Sequence, residues 1–405
     1  LAAGLAILPP LLFQAPFLDL APDLSAGTRG WLYRALALLI VACPCALVIS
    51  TPVTLVSALT GLARRGVLVK GGAFLDVLSR LKVFAFDKTG TLTGGKPRVR
   101  RTGTPHCDPQ QESCAACDDM LALAASVERR SQHPLAQAIV AEAGARGLLH
   151  TYPAAESTRS LAGQGVSGTI NGQVVLVGNH TLFHQQYEHC NGLHEQVQAA
   201  EAAGETVMLV GYRNAVIGFV SLADAVRPTS QAALQALKAI HPRIQTVMLT
   251  GDNPAVAAQV ADSLGQIDTV KAGLLPEDKL GIVQGLQAQS GGVAMVGDGV
   301  NDAPALAAAS VGIAMGGAGS AQAMETADIV LMQDDLARLP DLVRTSRRTR
   351  QIILQNITFS LAIKAAFLIL TLPGWATLWM AVFADMGASL LVTLNGLRAA
   401  RKTIN

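Results

Sequence analysis

Four stretches of this 405-residue chain are apolar over lengths that match a bilayer's hydrocarbon core, which takes about 20 helical residues to cross. They are 1–20, 31–62, 351–372 and 375–397. The first is interrupted by Pro9, Pro10 and Pro16, and each proline removes a helix hydrogen-bond donor. Helices in a soluble core are seldom apolar on every face for so long. Membrane spans are therefore expected at 1–24, 30–62, 350–372 and 375–397. Half of the residues are hydrophobic and only 15% are charged, against about 25% in ordinary soluble domains. A formal net charge of +2 gives no electrostatic case for a nucleic-acid partner. Six cysteines are too few for a disulfide scaffold of this length.

Basic residues set the topology. Arg64, Arg65 and Lys70 follow the second run; Arg344, Arg347, Arg348 and Arg350 precede the third; Arg398, Arg401 and Lys402 follow the fourth. Such clusters mark the cytoplasmic side. Residues 63–349 then form one cytoplasmic insert, 398–405 a cytoplasmic tail, and the turn at 372–374 faces outward. The chain begins with Leu1 rather than Met and has no basic leader before its first apolar run. It reads as a piece of a longer protein rather than as one with a signal peptide.

The insert alternates short apolar runs with helical stretches. Runs at 82–86, 246–249 and 292–296 close on Asp87, on Thr250-Gly251-Asp252 and on Gly297-Asp298-Gly299. Buried parallel strands have this pattern, and helices at 230–240, 254–264 and 276–288 complete an open doubly wound sheet. Ligands in such sheets bind beyond the carboxyl ends of the strands, so three strand-end carboxylates should share one crevice. Residues 102–220 interrupt the alternation. They carry an expected helix at 120–146 and β-like runs at 174–177, 207–210 and 216–220, and read as an inserted α+β domain. The flanking parts, 63–101 and 221–349, form one split domain.

Asp87-Lys88-Thr89-Gly90-Thr91-Leu92-Thr93 resembles the phosphorylation motif of P-type ATPases. Thr250-Gly251-Asp252, Pro276-Glu277-Asp278-Lys279 and Gly297-Asp298-Gly299-Val300-Asn301-Asp302 match the same family in the same order. The resemblance implies a haloacid-dehalogenase-like phosphorylation domain with an inserted nucleotide-binding domain, ATP and Mg2+ as cofactors, and an aspartyl phosphate on Asp87. Mg2+ would be held by the Asp87 carboxylate, the Thr89 carbonyl and Asp298. Lys88 and Asp252 lie within these motifs, Lys279 would place a positive charge on the phosphoryl oxygens, and Thr250 and Gly251 would donate hydrogen bonds. Asn301 and Asp302 would order the metal loop or simply cap the following helix. Two anions about 4 Å apart repel by on the order of 4 kcal/mol at an effective dielectric of about 20, which is why phosphoryl transfer needs these cations. In the insert, Glu128, His133, Gly163, Gly165 and Gly178 resemble the nucleotide-binding residues of the heavy-metal branch.

Cys43-Pro44-Cys45, inside the second run, resembles that branch's ion-binding signature. Residues two apart do not share a face of an intact helix, but Pro44 breaks the ladder. Lys364 and Asp385, inside the third and fourth runs, each cost about 2.5–3.5 kcal/mol at a helix centre. Either they form an ion pair, or Asp385 joins Cys43 and Cys45 as a ligand with Lys364 as counter-cation. Two thiolates and a carboxylate suit Zn2+, Cd2+ or Pb2+ as cargo. The copper pattern of the family is missing, apart from an echo in Met386 and Ser389. The resemblance also implies a multi-pass protein of a bacterial inner membrane, with the bilayer and the cargo ion as partners. The family's actuator domain, with its Thr-Gly-Glu motif, would lie elsewhere in the same pump. A membrane-anchored phosphatase of the dehalogenase type and a copper-transporting member are the alternatives. Such phosphatases carry a second Asp at the position of Thr89. The His106, Cys107, Cys114, Cys117 cluster and the histidines around Cys190 read as variable loop and solvated surface.

Overall fold

The computed structural model describes residues 2–13, 30–105, 114–131, 133–161, 164–180, 182–183, 191–252, 254–299, 302–316, 325–371 and 375–401. Two compact units emerge: Leu1–Leu81, Asp328–Gln333 and Arg338–Asn405 form one, and Lys82–Ala327 with Asp334–Ala337 the other.

In the first unit, three stretches among the described residues are long and apolar enough to cross a membrane: Trp31–Ala63, Arg338–Thr371 and Leu378–Ala400. The span expected at 1–24 is described only as the 12-residue helix Ala2–Phe13, which at 1.5 Å per residue reaches about 18 Å. Trp31–Ala63 is not one helix. Trp31–Ala42 ends at an extended Cys43 (φ −63°, ψ 122°), and Cys45–Ala63 starts after Pro44. The missing proline N–H is the reason for the break. The third span is longer than the apolar run suggested. Its helix starts at Arg338, so the basic cluster and the apolar segment are one rod of 34 residues.

Close backbone approach and polar side chains hold these helices together, as membrane packing favours. A Cβ on Gly61 would lie 2.5 Å from the Ala400 carbonyl oxygen, so no larger residue fits there. The Ser57 hydroxyl donates to the Leu397 carbonyl at 3.1 Å. The Asn356 amide donates to the Val392 carbonyl at 3.1 Å, and the Asn395 amide to Asn356 Oδ1 at 2.9 Å.

In the second unit, five parallel strands run in the order Val311–Gly316, Val293–Gly297, Val83–Asp87, Gln245–Leu249, Thr269–Lys271. Val83–Asp87 and Val293–Gly297 are buried along their whole length, as strands covered on both faces must be. Pro228 and Pro276 open the helices Pro228–Ile240 and Pro276–Ser290, at the one helical turn that tolerates a missing donor. An antiparallel sheet of six strands is inserted after Val83–Asp87. Its order is Thr93–Gly103, Ala215–Val226, Thr206–Tyr212, Gln173–Gly178, Gly165–Ile170, Thr158–Leu161. Strand alternation sorts its side chains. Val175, Val177, Met208 and Val210 pack with the helices Ala115–Glu128 and Pro134–Ala145, while Leu176, Val207 and Leu209 pack with Asn191–Ala202. The sheet reaches from Thr93 to Val226, wider than the 102–220 read from the sequence, because its outer strands pair to their ends. The single helix expected at 120–146 is two helices, broken at Arg129–His133.

Candidate functional site

Asp87 ends the central parallel strand and is 4% exposed. Lys279, in the first turn of Pro276–Ser290, brings its ammonium 2.6 Å from Asp87 Oδ1 and 2.7 Å from Asp302 Oδ1. Burial first, and then the neighbouring Asp302, push the Asp87 carboxyl up to about 7 even against the opposing pull of Lys279. Burial likewise raises Asp302. The Asp87 carboxyl is thus not the freely ionised group that its ordinary value suggests. One lysine serves a crowd of carboxylates, and Asp302 Oδ2 is buried with no hydrogen-bond partner among the described residues. Asp298 lies against this group: a Cβ on Gly90 would stand 3.1 Å from Asp298 Oδ2. Hard oxygen donors with excess negative charge fit Mg2+. Thr89 is exposed, with a non-helical backbone (φ −76°, ψ 130°). Asp252, expected in the shared crevice, forms an ion pair with Lys88. The Thr250 hydroxyl accepts from the Asp252 N–H at 3.1 Å, and exposed Gly251 follows it. Asn301 lies outside the described residues.

Two residues that the motifs did not single out fasten the loop after Asp87. Arg227 donates to the Gly90 and Thr93 carbonyls, each at 2.9 Å. The Asp224 carboxylate accepts from the Thr93 hydroxyl and from the Gly95 N–H. Gly90 needs its φ of +73° for the chain to turn there. The only sequence signal for these anchors was an Asp and an Arg three residues apart at the end of an apolar run.

In the inserted domain, a cavity of about 540 Å³ is lined by Glu128, Ser131, His133, Gly165 and Asn179, among others. Glu128 ends one helix and His133 caps the next, its Nδ1 accepting from the Leu135 N–H at 3.3 Å. The helix break therefore brings both to one rim. Burial pushes the Glu128 carboxyl up to about 7, with a Ser131 hydrogen bond opposing. A Cβ on Gly165 would collide with the Val177 carbonyl at 2.1 Å, so its glycine identity is fixed by strand packing. Gly178, beside Asn179 of the lining, packs against Leu182 and the Gln164 carbonyl, where a side chain has no room. Gly163 lies outside the described residues. An apolar and amide-lined cleft with a carboxyl and an imidazole suits a purine nucleotide.

In the membrane unit, the Cys45 side chain interacts with Cys43 and Asp385. Lys364 and Asp385 line one small cavity with Ser360 and Val41. They do not form the ion pair considered from the sequence. Instead, the Lys364 ammonium donates to the Val41 carbonyl at 2.8 Å and to the Cys43 carbonyl. Both carbonyls stand at the break between the two helices. Cys43 is exposed and Cys45 half-buried. No group of three His, Cys, Asp or Glu side chains among the described residues is arranged tightly enough to enclose a metal ion. Near the nucleotide domain, Cys114 and Cys117 bring their sulfurs to 3.2 Å, while Cys107 lies outside the described residues.

A family model for haloacid dehalogenase-like hydrolases matches residues 81–310. A probable cadmium-transporting ATPase of Alkalihalophilus pseudofirmus is 44% identical over 99% of this chain and 53% of its own length. The zinc/cadmium/lead-transporting P-type ATPase of Escherichia coli is 45% identical over 98% of this chain and 50% of its own. A crystal structure of a zinc-transporting PIB-type ATPase in an E2.Pi state superposes with a TM-score of 0.83 at 44% identity, covering 99% of this chain and 61% of that one. The chain belongs to the haloacid dehalogenase-like hydrolases, and over nearly its whole length it is similar to metal-transporting P-type ATPases. It spans about half the length of the curated relatives it matches.

Proposed function

We propose that this chain is the catalytic and ion-binding part of an ATP-driven exporter of Zn2+, Cd2+ or Pb2+ that works through an aspartyl phosphate. The observation that carries this reading is the buried Asp87–Lys279–Asp302 cluster at the end of the central strand. An Asp87 oxygen attacks the γ-phosphorus of ATP, the bond to the β–γ bridging oxygen breaks, and ADP leaves. Lys279 neutralises charge on the transferring phosphoryl group. Bound Mg2+, held by Asp87, Asp298 and the Thr89 carbonyl, supplies further charge neutralisation when present. Lys88 and Asp252 hold each other beside the nucleophile, and Thr250 and Gly251 offer hydrogen bonds to phosphoryl oxygens. Glu128, His133 and Gly165 bind the adenine end, with Gly163 as a further candidate. Gly178 keeps the strand close enough for that pocket to form.

Cys43, Cys45 and Asp385 take the cargo, and Lys364 holds the broken helix open. The cadmium- and zinc-transporting relatives support this cargo class. An actuator domain and further spans of the same pump are its partners, in a bacterial inner membrane with the second unit cytoplasmic. Radiolabelled ATP with Mg2+, quenched in acid, tests the reading. A base-labile label should form on the chain and vanish in Asp87→Asn. In the full-length pump, ATPase activity should rise with Zn2+, Cd2+ or Pb2+. Label retained in Asp87→Asn, or stimulation by Cu+ alone, would refute it.

A further inference from the structure

Ser360 stands one turn before Lys364 on the helix Arg338–Thr371. It is 2% exposed, and its hydroxyl has no hydrogen-bond partner among the described residues. That is unusual on these helices. Ser346 donates to the Leu342 carbonyl at 2.9 Å, Thr349 to Thr345 at 2.7 Å, Thr371 to Phe367 at 2.7 Å and Thr393 to Ser389 at 2.7 Å. Bonding back to the carbonyl four residues earlier is the default for a helical hydroxyl. A buried hydroxyl left unpaired is costly, so one that forgoes the default is oriented toward something else.

Ser360 lines the same cavity as Asp385 and Lys364. The cavity measures about 10 Å³, room for a single water molecule. Most of its remaining wall is apolar, including Val41, Ile363 and four alanines. Lys364 can only donate, and it already donates to two main-chain carbonyls. Beyond the Asp385 carboxylate, Ser360 therefore offers the one side-chain oxygen on this wall. Two thiolates and a carboxylate leave one position of a four-coordinate ion unfilled.

We propose that Ser360 holds the water that completes the coordination shell of the cargo ion bound by Cys43, Cys45 and Asp385. This rests on the metal-site assignment above. The water gives a lone pair to the ion and donates one proton to Ser360 Oγ. Ser360 is thus a positioning residue that acts through the water. Outer-shell partners of this kind are worth 10- to 100-fold in metal affinity. Zn2+ depends more on its oxygen ligands than do the softer Cd2+ and Pb2+, which draw more of their binding from sulfur.

Zn2+ and Cd2+ titrations of the full chain in detergent against a chromophoric chelator, with zinc-edge X-ray absorption, test the proposal. Ser360→Ala should weaken Zn2+ binding about tenfold and Cd2+ binding less than threefold, and the zinc spectrum should lose one oxygen scatterer. Ser360→Thr, which keeps the hydroxyl, should stay within threefold of the parent. The metal-free thermal midpoint of Ser360→Ala should be unchanged or higher, because an unpaired hydroxyl has gone. Unchanged zinc affinity and oxygen count in Ser360→Ala would overturn the role of Ser360. So would equal losses for both ions with a lowered metal-free midpoint, the mark of a packing role. A parent chain whose zinc binding survives Cys45→Ser would instead overturn the metal-site assignment, and this proposal with it.

Discussion

The chain balances buried charge in two opposite ways. At the end of the parallel sheet, Asp87 and Asp302 crowd around Lys279, so side chains answer side chains and negative charge is left over. In the membrane unit, Lys364 is answered by the main chain, through the Val41 and Cys43 carbonyls at the helix break. The difference follows from the solvent. A cleft open to water can carry surplus carboxylates, because a mobile cation can complete them. In lipid each uncompensated charge is costly, and the cheapest acceptor is a backbone group that already needs a donor. The first arrangement attracts a cation, whereas the second settles one that is covalently fixed.

The largest test of this contrast is Lys279→Ala. Breaking a buried ion pair from one side costs about 3–5 kcal/mol, and phosphoenzyme formation should fall about 10²–10³-fold. Mg2+ should recover part of the stability in denaturant titrations, because it replaces the lost positive charge. If stability does not change, Lys279 is not balancing the carboxylates. A smaller effect is expected at Glu128, where burial rather than a neighbouring charge sets the ionisation. Its folded value of about 7 exceeds the ordinary 4.5, so the folded state binds the proton more tightly than the unfolded one. Stability should therefore fall as pH rises from about 4.5 to 7, by up to about 3 kcal/mol. Glu128→Gln should flatten that slope in thermal midpoints between pH 5 and 8. Smallest is Lys364→Met, which leaves the Val41 and Cys43 carbonyls without a donor at a cost of about 1–3 kcal/mol. The metal-free thermal midpoint should drop, and a midpoint that rises would show that the helix break needs no such support.

Three of the five parallel strands were legible because each is a short apolar run closed by an Asp or by a turn with Gly and Asp, and the Asp87 motif sits on the central one; Thr269–Lys271 and Val311–Gly316 carry no such closing signal. Asp87 and Lys279 were legible from their motifs, at a strand end and in a first helical turn, whereas Asp302, a helix N-cap, was read only as a loop-ordering or capping residue. Contacts distant in sequence could not be read. Arg227 meets Gly90 across 137 residues, and Lys364 reaches Val41 across 323. No local periodicity encodes such pairings. The break at Arg129–His133 was missed because the apolar spacing on both sides continues with little change, and only Pro134 at the first helical position hints at a new start.

The two crossings into the inserted domain, Thr93–Gly103 and Ala215–Val226, are hydrogen-bonded side by side. A paired ribbon resists stretching but yields to torsion, so the inserted domain can swivel more readily than it can separate. Thr93 and Arg227 sit at the foot of that ribbon, where Arg227 holds the Gly90 carbonyl and the Thr93 hydroxyl holds the Lys88 carbonyl. Torque generated by anything clasped in the cavity of the inserted domain would thus arrive at Asp87 through only a few bonds.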